Sequence, residues 1–247
     1  MALLLLGSDE GPMRSADPTQ GRADAIQLLF VAADRQHATF VSIPRDSWVP
    51  VTDRGTTRIN ACLTGGPERC VSTVEQAFDI EVDGYLLTSM RGFVNAVSSF
   101  GGLTVDVPTP LYDGGADVTS TGVQELTGSQ ALTFARDRKN RPGGDFGRTQ
   151  AQAELLALGH AEVVGAGDVT AVLAGVTVLR RHTVTDLSGP DLVRYGFEAM
   201  RLPPGNVERV LVPGRNGMAG AAAVVFLEDG AGPLIRDAAA DGRVGTA

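Results

Sequence analysis

Carboxylates and arginines stand at the ends of several apolar segments of this sequence, where the side chains of an α/β protein can meet. Asp9 follows the apolar run at 2–6 and a Gly-Ser turn, and Asp24 immediately precedes the apolar run at 25–32. Two carboxylates at neighbouring strand ends match what Mg²⁺ takes from a protein, since this ion prefers oxygen ligands and keeps several waters. The alternative is that both aspartates terminate turns, as aspartate commonly does.

An arginine follows the next apolar run. Arg45 lies in SIPRD, just past the run at 38–43, and Pro44 prevents that strand from continuing. An arginine in this position points into the crevice where open α/β sheets bind ligands. A structural ion pair between Arg45 and a nearby acid is the other interpretation, and the pattern leaves both open.

The segment TFARDRKNRPGGDFGR at 133–148 concentrates four arginines and a lysine in a chain of formal charge -8. Arg136 and Arg138 are two positions apart, so both face the same side if the chain is extended after a helix ends. Charge runs of this kind are also typical of solvated loops.

The end of the same segment predicts the start of a helix. Residues 142–144 (Pro-Gly-Gly) indicate a loop, and Asp145 is placed as the N-cap of a helix that carries Arg148 and extends to about 159. A helix N-terminus attracts phosphate, and the adjacent arginine adds a charged fork. Gln152 lies one turn after Arg148 and shares its face.

Composition limits the class of partner. The 247 residues are 43% hydrophobic, enough for a full core, and we expect one domain over 1–247. Lysine and arginine number 21 against 29 acids, which disfavours a nucleic-acid duplex or an anionic lipid surface as a general partner. A bound anion must therefore be held by local arginines.

The two cysteines and the N-terminal segment bear on location. Cys62 and Cys70 could close a small loop in an oxidising compartment or remain thiols in a reducing one. The apolar run before Gly7 is too short for a membrane span or a signal peptide, so an exported native protein would have its anchor outside this chain.

The hydrophobic pattern predicts strands that alternate with helices. The turn at 34–37 joins two strand-like runs into a hairpin, and residues 113–122 are predicted as a loop. The fold class expected from this order is α/β, with a central mixed β-sheet flanked by helices on both faces. Strands are predicted at 2–6, 25–32, 38–43 and 103–108, and helices at 71–78, 90–100, 127–135, 148–159 and 186–200.

Eight segments resemble, in order, the LytR-CpsA-Psr (LCP) family of bacterial cell-wall glycopolymer transferases. The resemblance covers residues 3 to about 158 and is weaker over 159–247. The matching segments are LLLLGSDE, GRADAIQLLFVAAD, ATFVSIPRDSWVPV, RINACLTGG, TVEQAFDIEVDGYLL, GFVNAVSSFGGLTVDVP, GVQELTGSQALTFARDR and GDFGRTQAQ.

The resemblance implies an LCP-like three-layer fold with a long apolar pocket for a polyprenyl chain and an arginine-lined mouth for its diphosphate. It implies a phosphotransferase that moves a glycopolymer from a polyprenyl-diphosphate carrier to peptidoglycan with the help of Mg²⁺. The native protein would act at the extracytoplasmic face of the bacterial cell membrane, tethered by an N-terminal helix that is not in this chain. A polyprenyl-(pyro)phosphate-binding protein without turnover and a polyprenyl-diphosphate hydrolase remain the alternatives.

The resemblance also implies residue roles. Asp9 and Asp24 correspond to the metal-side acids, and either is a candidate for the base that takes the hydroxyl proton. The catalytic set implied is Asp9, Asp24, Arg45 and Arg138, and the phosphate-binding set is Arg22, Arg45, Arg136, Arg138, Asp145, Arg148 and Gln152.

Other positions are less informative. Phe93, Val94 and Val97 share a helix face that could line the lipid pocket or belong to the core. The family often has an arginine where this chain has Gly11, for which Arg14 is a nearby substitute, and an aspartate where it has Ser98. The histidines are predicted as surface residues rather than as a base, with His160 at a helix end; they are His37, His160 and His182.

Overall fold

The secondary structure alternates between strands and helices along the chain. The computed structural model describes residues 1–9, 19, 21–112 and 116–245. The strands are β1 (Ala2–Ser8), β2 (Ala23–Val31), β3 (Ala38–Ser42), β4 (Trp48–Val51), β5 (Gly55–Arg58), β6 (Gly84–Ser89), β7 (Leu103–Val107), β8 (Gly122–Leu126), β9 (Thr183–Thr185), β10 (Val207–Leu211), β11 (Gly214–Ala219) and β12 (Ala222–Leu227). The helices are α1 (Pro67–Phe78), α2 (Met90–Ser99), α3 (Gly128–Arg136), α4 (Asp145–Ala166), α5 (Val169–His182), α6 (Gly189–Arg201) and α7 (Ala231–Asp241), with 3-10 turns at Ile59–Gly65 and Pro204–Asn206.

Six strands form a mixed central sheet in the order β10-β3-β2-β1-β6-β9. β2 is antiparallel to both β1 and β3, so the predicted hairpin is confirmed, while β6 runs parallel to β1 and β10 parallel to β3. The carboxyl ends of β1, β3, β6 and β10 therefore meet at one edge of the sheet, together with the start of β2. We call this edge the upper edge.

Helices cover both faces of the sheet, as the expected fold class requires. Ile26 and Leu28 of β2 belong to a buried apolar cluster with residues of α1 and α7. Gln27 lies between them and points to the opposite face, where its Nε2 donates to the carbonyl oxygen of Thr149 on α4, 3.2 Å away. A second apolar cluster joins β7, β8, α3 and α4.

Several elements differ from their predicted bounds. β2 begins at Ala23, so Asp24 lies inside the strand rather than before it. β7 pairs with β8 in a separate two-stranded sheet, and α4 extends to Ala166, beyond the predicted end at 159. Residues 113–115 of the predicted loop lie outside the described part of the chain. Within the described ranges, no helix combines the length and apolar character needed to cross a membrane.

The longer α4 also corrects the prediction for His160. This residue lies inside the helix rather than at its end, and it is half-buried. Its Nε2 is 2.8 Å from the carbonyl oxygen of Ala199 on α6. His160 therefore makes an interhelical contact and is not a surface residue.

Candidate active site

A β-bulge in β2 positions Asp24. Gly7 pairs with Ala25 and Ser8 pairs with Ala23, which leaves Asp24 without a Cα partner on β1. A bulge of this kind re-aims a side chain at the end of a strand. Gly7 permits the close approach, since a Cβ there would lie 3.1 Å from the Cβ of Ala25.

Arg45 follows β3 and forms an ion pair with Asp24 through its Nη1. Its Nε also lies 3.8 Å from Oδ2 of Asp46 and 4.0 Å from Oδ1 of Asp145. Burial acts to lower the pKa of Arg45, but the negative charge of Asp24, the hydrogen bond that Arg45 donates to it and the charges of Asp46 and Asp145 raise this pKa above its ordinary value. Arg45 is therefore surrounded by carboxylates at the upper edge.

Asp145 and Arg148 form the first turn of α4. The N-cap is Gly144, which makes no side-chain cap, so the prediction of Asp145 as N-cap is wrong. Asp145 is instead the first helical residue, where a negative charge complements the helix dipole. Its Oδ1 lies 2.9 Å from Nη2 of Arg148, and Arg148 is only 3% exposed.

Gln152 ties α4 to the rest of the site. Its Nε2 donates to the carbonyl oxygens of Asp24, 3.4 Å away, and Ala135, 3.3 Å away. The prediction that Gln152 shares a helix face with Arg148 is consistent with these contacts. Gln152 thereby joins the end of α3 to the bulge of β2.

Several buried polar atoms in this group have no hydrogen-bond partner in the described part of the chain. They include Nε of Arg45, Nε and Nη2 of Arg148, both carboxylate oxygens of Asp145 and Oε1 of Gln152. The contact from Arg148 to Asp145 is close but lacks hydrogen-bond geometry. Since buried polar atoms are nearly always hydrogen-bonded, such a concentration is typical of a ligand site. We call Asp24, Arg45, Asp145, Arg148 and Gln152 the arginine cluster.

The most deeply buried member of the cluster, Arg148, carries a positive charge. Burial lowers the pKa of Arg148; Asp145 partly opposes this, and the positive charges of Arg45 and Arg138 add to the lowering. An arginine nevertheless stays protonated in proteins. A bound anion would offset the free-energy cost of burying this charge.

The segment after α3 holds two arginines on its surface. α3 ends at Arg136, and Asp137 continues it in an extended conformation. Arg136 and Arg138 are both exposed, whereas Asp137 between them is fully buried, as the predicted alternation requires. Arg138 acts electrostatically on Arg148, while no ion pair joins Arg136 to the cluster among the described residues.

Asp9 and Arg22 lie next to the cluster at the β1–β2 end. The Arg22 N–H donates to Oδ1 of Asp9 at 2.6 Å, and the Asp9 N–H donates to the carbonyl oxygen of Arg22 at 2.9 Å. The Arg22 side chain is exposed.

Asp9 and Asp24 supply carboxylate oxygens, the type of donor that Mg²⁺ prefers. No group of three or more His, Cys, Asp or Glu side chains able to hold a metal occurs in the described ranges, so these residues offer no closed cage. Mg²⁺ commonly takes one or two carboxylates, with substrate phosphates and waters completing its octahedron. The donor set is compatible with Mg²⁺ held jointly by protein and phosphate.

Other sequence-predicted positions lie elsewhere. Phe93 and Val97 pack against the apolar cluster of β7, β8, α3 and α4, and Val94 is 8% exposed, which fits the core interpretation of this face. Gly11 and Arg14 lie outside the described residues.

Sequence reasoning missed the polar support of the cluster. The side chain of Gln27 links β3 to α4. Its Oε1 accepts a hydrogen bond from Oγ of Ser42 at 2.7 Å, and its Nε2 donates to the carbonyl oxygen of Thr149. Asp46 lies between Arg45 and Arg58 and pairs with both; Oδ1 of Asp46 is 3.6 Å from Nε of Arg58. A glutamine inside an otherwise apolar strand run was the one local signal for this network.

Fold and site together define an α/β protein in which one buried arginine, one half-buried arginine and half-buried carboxylates lie at the upper edge of a mixed sheet. The LytR_cpsA_psr family model matches residues 1–232. The chain belongs to the LytR-CpsA-Psr family, and the match extends well beyond residue 158.

A curated relative and two solved structures illustrate this likeness. The polyisoprenyl-teichoic acid–peptidoglycan teichoic acid transferase TagU of Oceanobacillus iheyensis is 32% identical over 192 residues, which are 75% of this chain and 58% of the relative. The chain thus spans less than two thirds of that relative's length.

The solved structures share the fold. The crystal structure of B. subtilis TagV has a TM-score of 0.84 at 21% identity, over 96% of this chain and 94% of that one. A structure of TagT bound to LI-WTA has a TM-score of 0.77 at 22% identity, over 96% of this chain and 87% of that one.

Proposed function

We propose that this chain is a phosphotransferase that moves a glycopolymer from a polyprenyl-diphosphate carrier to peptidoglycan, with residues 1–247 acting as one catalytic domain. The observation that carries the proposal is the arginine cluster, in which Arg45 and Arg148 hold buried donor atoms that have no hydrogen-bond partner among the described residues. Family membership and the names of the relatives, a teichoic acid transferase and a protein bound to LI-WTA, support the same reaction.

In this proposal the arginines bind and neutralise the diphosphate. Arg148 is held in place because its side chain is buried. Arg45 lies nearby at the end of β3, and Arg138 lies on the surface close enough to act electrostatically on Arg148. Phosphoryl transfer depends mainly on positioning and on stabilising developing charge, and preorganised donors perform this without reorganising during the reaction. Arg22 and Arg136, which are both exposed, would contact the outer part of the substrate.

Asp9 and Asp24 are proposed to hold Mg²⁺ together with the diphosphate. When bound, the ion would supply charge neutralisation at the phosphate oxygens. Asp24 also balances the charge of Arg45 in the free protein, and either aspartate is a candidate for the base that takes the proton of the attacking hydroxyl.

The proposed location is the extracytoplasmic face of the cell membrane. A disulfide joins Cys62 to Cys70, and disulfides persist mainly in oxidising compartments. Tethering by a segment outside this chain is part of the proposal.

The test measures release of polyprenyl phosphate from a synthetic polyprenyl-diphosphate glycan, with and without Mg²⁺ and a peptidoglycan acceptor. Arg45→Ala and Arg138→Ala are compared with Arg194→Ala, a control that removes an arginine 59% exposed on α6. Release that requires the acceptor and is lost only in the first two variants supports the transferase. Release without acceptor identifies a hydrolase, and arginine-dependent lipid binding without release identifies a binding protein.

A further inference from the structure

A buried carboxylate lies inside the cationic segment that follows α3. Asp137 is fully buried, although the residues on either side of it, Arg136 and Arg138, are exposed. Among the described residues, its Oδ2 has no hydrogen-bond partner. An aspartate is almost never fully buried unless it is paired, because burying a charge costs free energy. Packing alone therefore does not account for an aspartate at this position.

The other oxygen of Asp137 closes the turn that carries Arg138. Its Oδ1 accepts a hydrogen bond from Nδ2 of Asn140 at 2.8 Å and a longer one from the Asn140 N–H at 3.4 Å. Aspartate side chains commonly close turns by accepting from a backbone N–H a few residues further on. Because Arg138 lies between Asp137 and Asn140, these hydrogen bonds limit where its backbone can lie.

Contacts beyond the turn hold it against the rest of the protein. Thr109 Oγ1 donates to the carbonyl oxygen of Asn140 at 3.0 Å. The guanidinium of Arg141 stacks on the ring of Phe134, 3.9 Å from its centroid, and its Nη2 donates to the Phe134 carbonyl oxygen at 3.3 Å. These contacts anchor the residues that follow Arg138, while α3 anchors those that precede it.

The charge of Asp137 acts on a different residue from its hydrogen bonds. Burial lowers the pKa of Arg141, and the negative charges of Glu154 and Asp137 oppose this lowering. Asparagine in place of Asp137 would remove the charge but keep an oxygen that can accept from Asn140. The contribution to Arg141 and the contribution to the turn can therefore be separated by experiment.

Resting on the proposed function, in which Arg138 binds the carrier diphosphate, we propose that Asp137 is a positioning residue that holds Arg138 in place through its hydrogen bonds to Asn140. An exposed arginine loses conformational entropy when it binds a ligand, and a backbone fixed in advance reduces that cost. Preorganised donors also stabilise developing charge without rearranging during the reaction. The closed turn gives Arg138 this preorganisation while leaving it accessible to the substrate.

The experiment measures the affinity for inorganic pyrophosphate by calorimetric titration, which requires no turnover. We expect Asp137→Ala and Asn140→Ala to weaken binding about three- to tenfold, but by no more than Arg138→Ala does. The matched control is Asp34→Ala. It removes a similar turn contact, from Asp34 Oδ1 to the Gln36 N–H at 2.9 Å, in the β2–β3 hairpin at the opposite edge of the sheet, and should leave the affinity unchanged.

Two comparisons provide readouts that a purely structural role would not produce. Asp137→Asn keeps the accepting oxygen, so its affinity should match that of the unaltered chain within about twofold, even though losing the charge beside Arg141 lowers the thermal midpoint. In a chain that already carries Arg138→Ala, adding Asn140→Ala should weaken binding no further, because the turn acts only through Arg138.

Other outcomes overturn the positioning role. They are an unchanged affinity in Asn140→Ala, an equal loss with and without Arg138, a loss in Asp137→Asn as large as in Asp137→Ala, and an affinity that does not depend on Arg138. If Asp137→Ala fails to fold, Asn140→Ala carries the same test, since it changes a half-buried residue and leaves the buried aspartate in place.

Turnover separates this proposal from the proposed function. Acceptor-dependent release of polyprenyl phosphate, with an unchanged pyrophosphate affinity in Asn140→Ala, refutes the positioning role and leaves the transferase intact. Pyrophosphate binding that depends on both Asn140 and Arg138, in a chain that releases no polyprenyl phosphate, supports the positioning role and refutes the transferase.

Discussion

Asp24 and Arg45 form an ion pair across the ends of two neighbouring strands, with Asp24 on the bulge of β2 and Arg45 just beyond β3. Gln152 of α4 donates to the carbonyl oxygen of the same aspartate. The strands β2 and β3 and the helix α4 thus converge on one residue, which makes Asp24 the position where changes of charge should be most informative.

Asp24→Asn should affect phosphate binding and turnover in opposite directions. Without the carboxylate, the charge of Arg45 is less balanced, so pyrophosphate should bind several-fold more tightly in the absence of Mg²⁺. The gain should be modest and should shrink with salt, because both side chains are partly exposed, at 21% and 17%. Turnover should fall if Asp24 holds the metal. Calorimetric titration with pyrophosphate, using Asp191→Asn as the control, tests this; weaker binding in Asp24→Asn contradicts it.

Arg148→Lys should separate charge from geometry. Lysine keeps the positive charge but lacks the planar fork that binds two phosphate oxygens. We expect turnover to fall by about 100-fold, the scale of losing a preorganised donor, with little change in the thermal midpoint. Steady-state rates for this variant and for Arg194→Lys on α6 provide the comparison, and a rate near that of the unaltered chain rules out a bidentate role for Arg148.

The raised pKa of Tyr85 should make the free energy of unfolding depend on pH at high pH. Burial, with the hydrogen bond from its hydroxyl to Glu68 and the charges of Glu68 and Asp186, raises the pKa of Tyr85 to about 12. Because the folded pKa lies above the unfolded value of about 10, the stabilising contribution is complete below pH 10 and is lost as pH rises toward 12. Tyr85→Phe should flatten this part of the stability profile, whereas Tyr112→Phe, at a site 58% exposed, should not. Denaturant unfolding at several pH values tests both.

The disulfide between Cys62 and Cys70 should stabilise the fold. A cross-link across a loop this short is worth about 2–3 kcal/mol in the chain-entropy account. The Cys62→Ala, Cys70→Ala double variant should therefore melt roughly 5–10 °C lower. Reductant should lower the midpoint of the unaltered chain and leave the double variant unaffected; a reductant-insensitive unaltered chain argues against the bond.

Replacing two glycines by alanine should change the stability of the fold in opposite directions. A Cβ on Gly128 of α3 would lie 2.2 Å from the carbonyl oxygen of Val94 on α2, whereas one on Gly159 of α4 would meet nothing within 4 Å. Gly128→Ala should cost about 1–3 kcal/mol through overpacking. Gly159→Ala should stabilise by about 0.5–1 kcal/mol because alanine is the better helix former. The denaturant midpoints of the two variants test this, and equal changes in stability would contradict the close α2–α3 packing.

The sequence was most predictive where signals are local. The hairpin of β2 and β3, the end of β3 before Pro44 and the strand β7 follow from hydrophobic periodicity and turn residues, as the structure confirms. Helix α5 was not predicted, although its range carries a run of alanine, valine and leucine. Asp145 was misassigned as an N-cap: Gly144 takes that position, and the Asp145 carboxylate lies instead near Arg148 in the same turn and near Arg45 beyond β3.

The sequence by itself determined the fold class, the family and the identity of the charged residues, because periodicity and ordered motifs are properties of the chain alone. Only the tertiary structure decided that Asp24 sits on a bulge and that Arg148 is buried while Arg136 stays exposed. These relationships depend on strand order and helix packing between residues up to 128 positions apart, as in the contact from Gln152 to Asp24. Burial and register arise from the packed chain as a whole, so no local pattern encodes them.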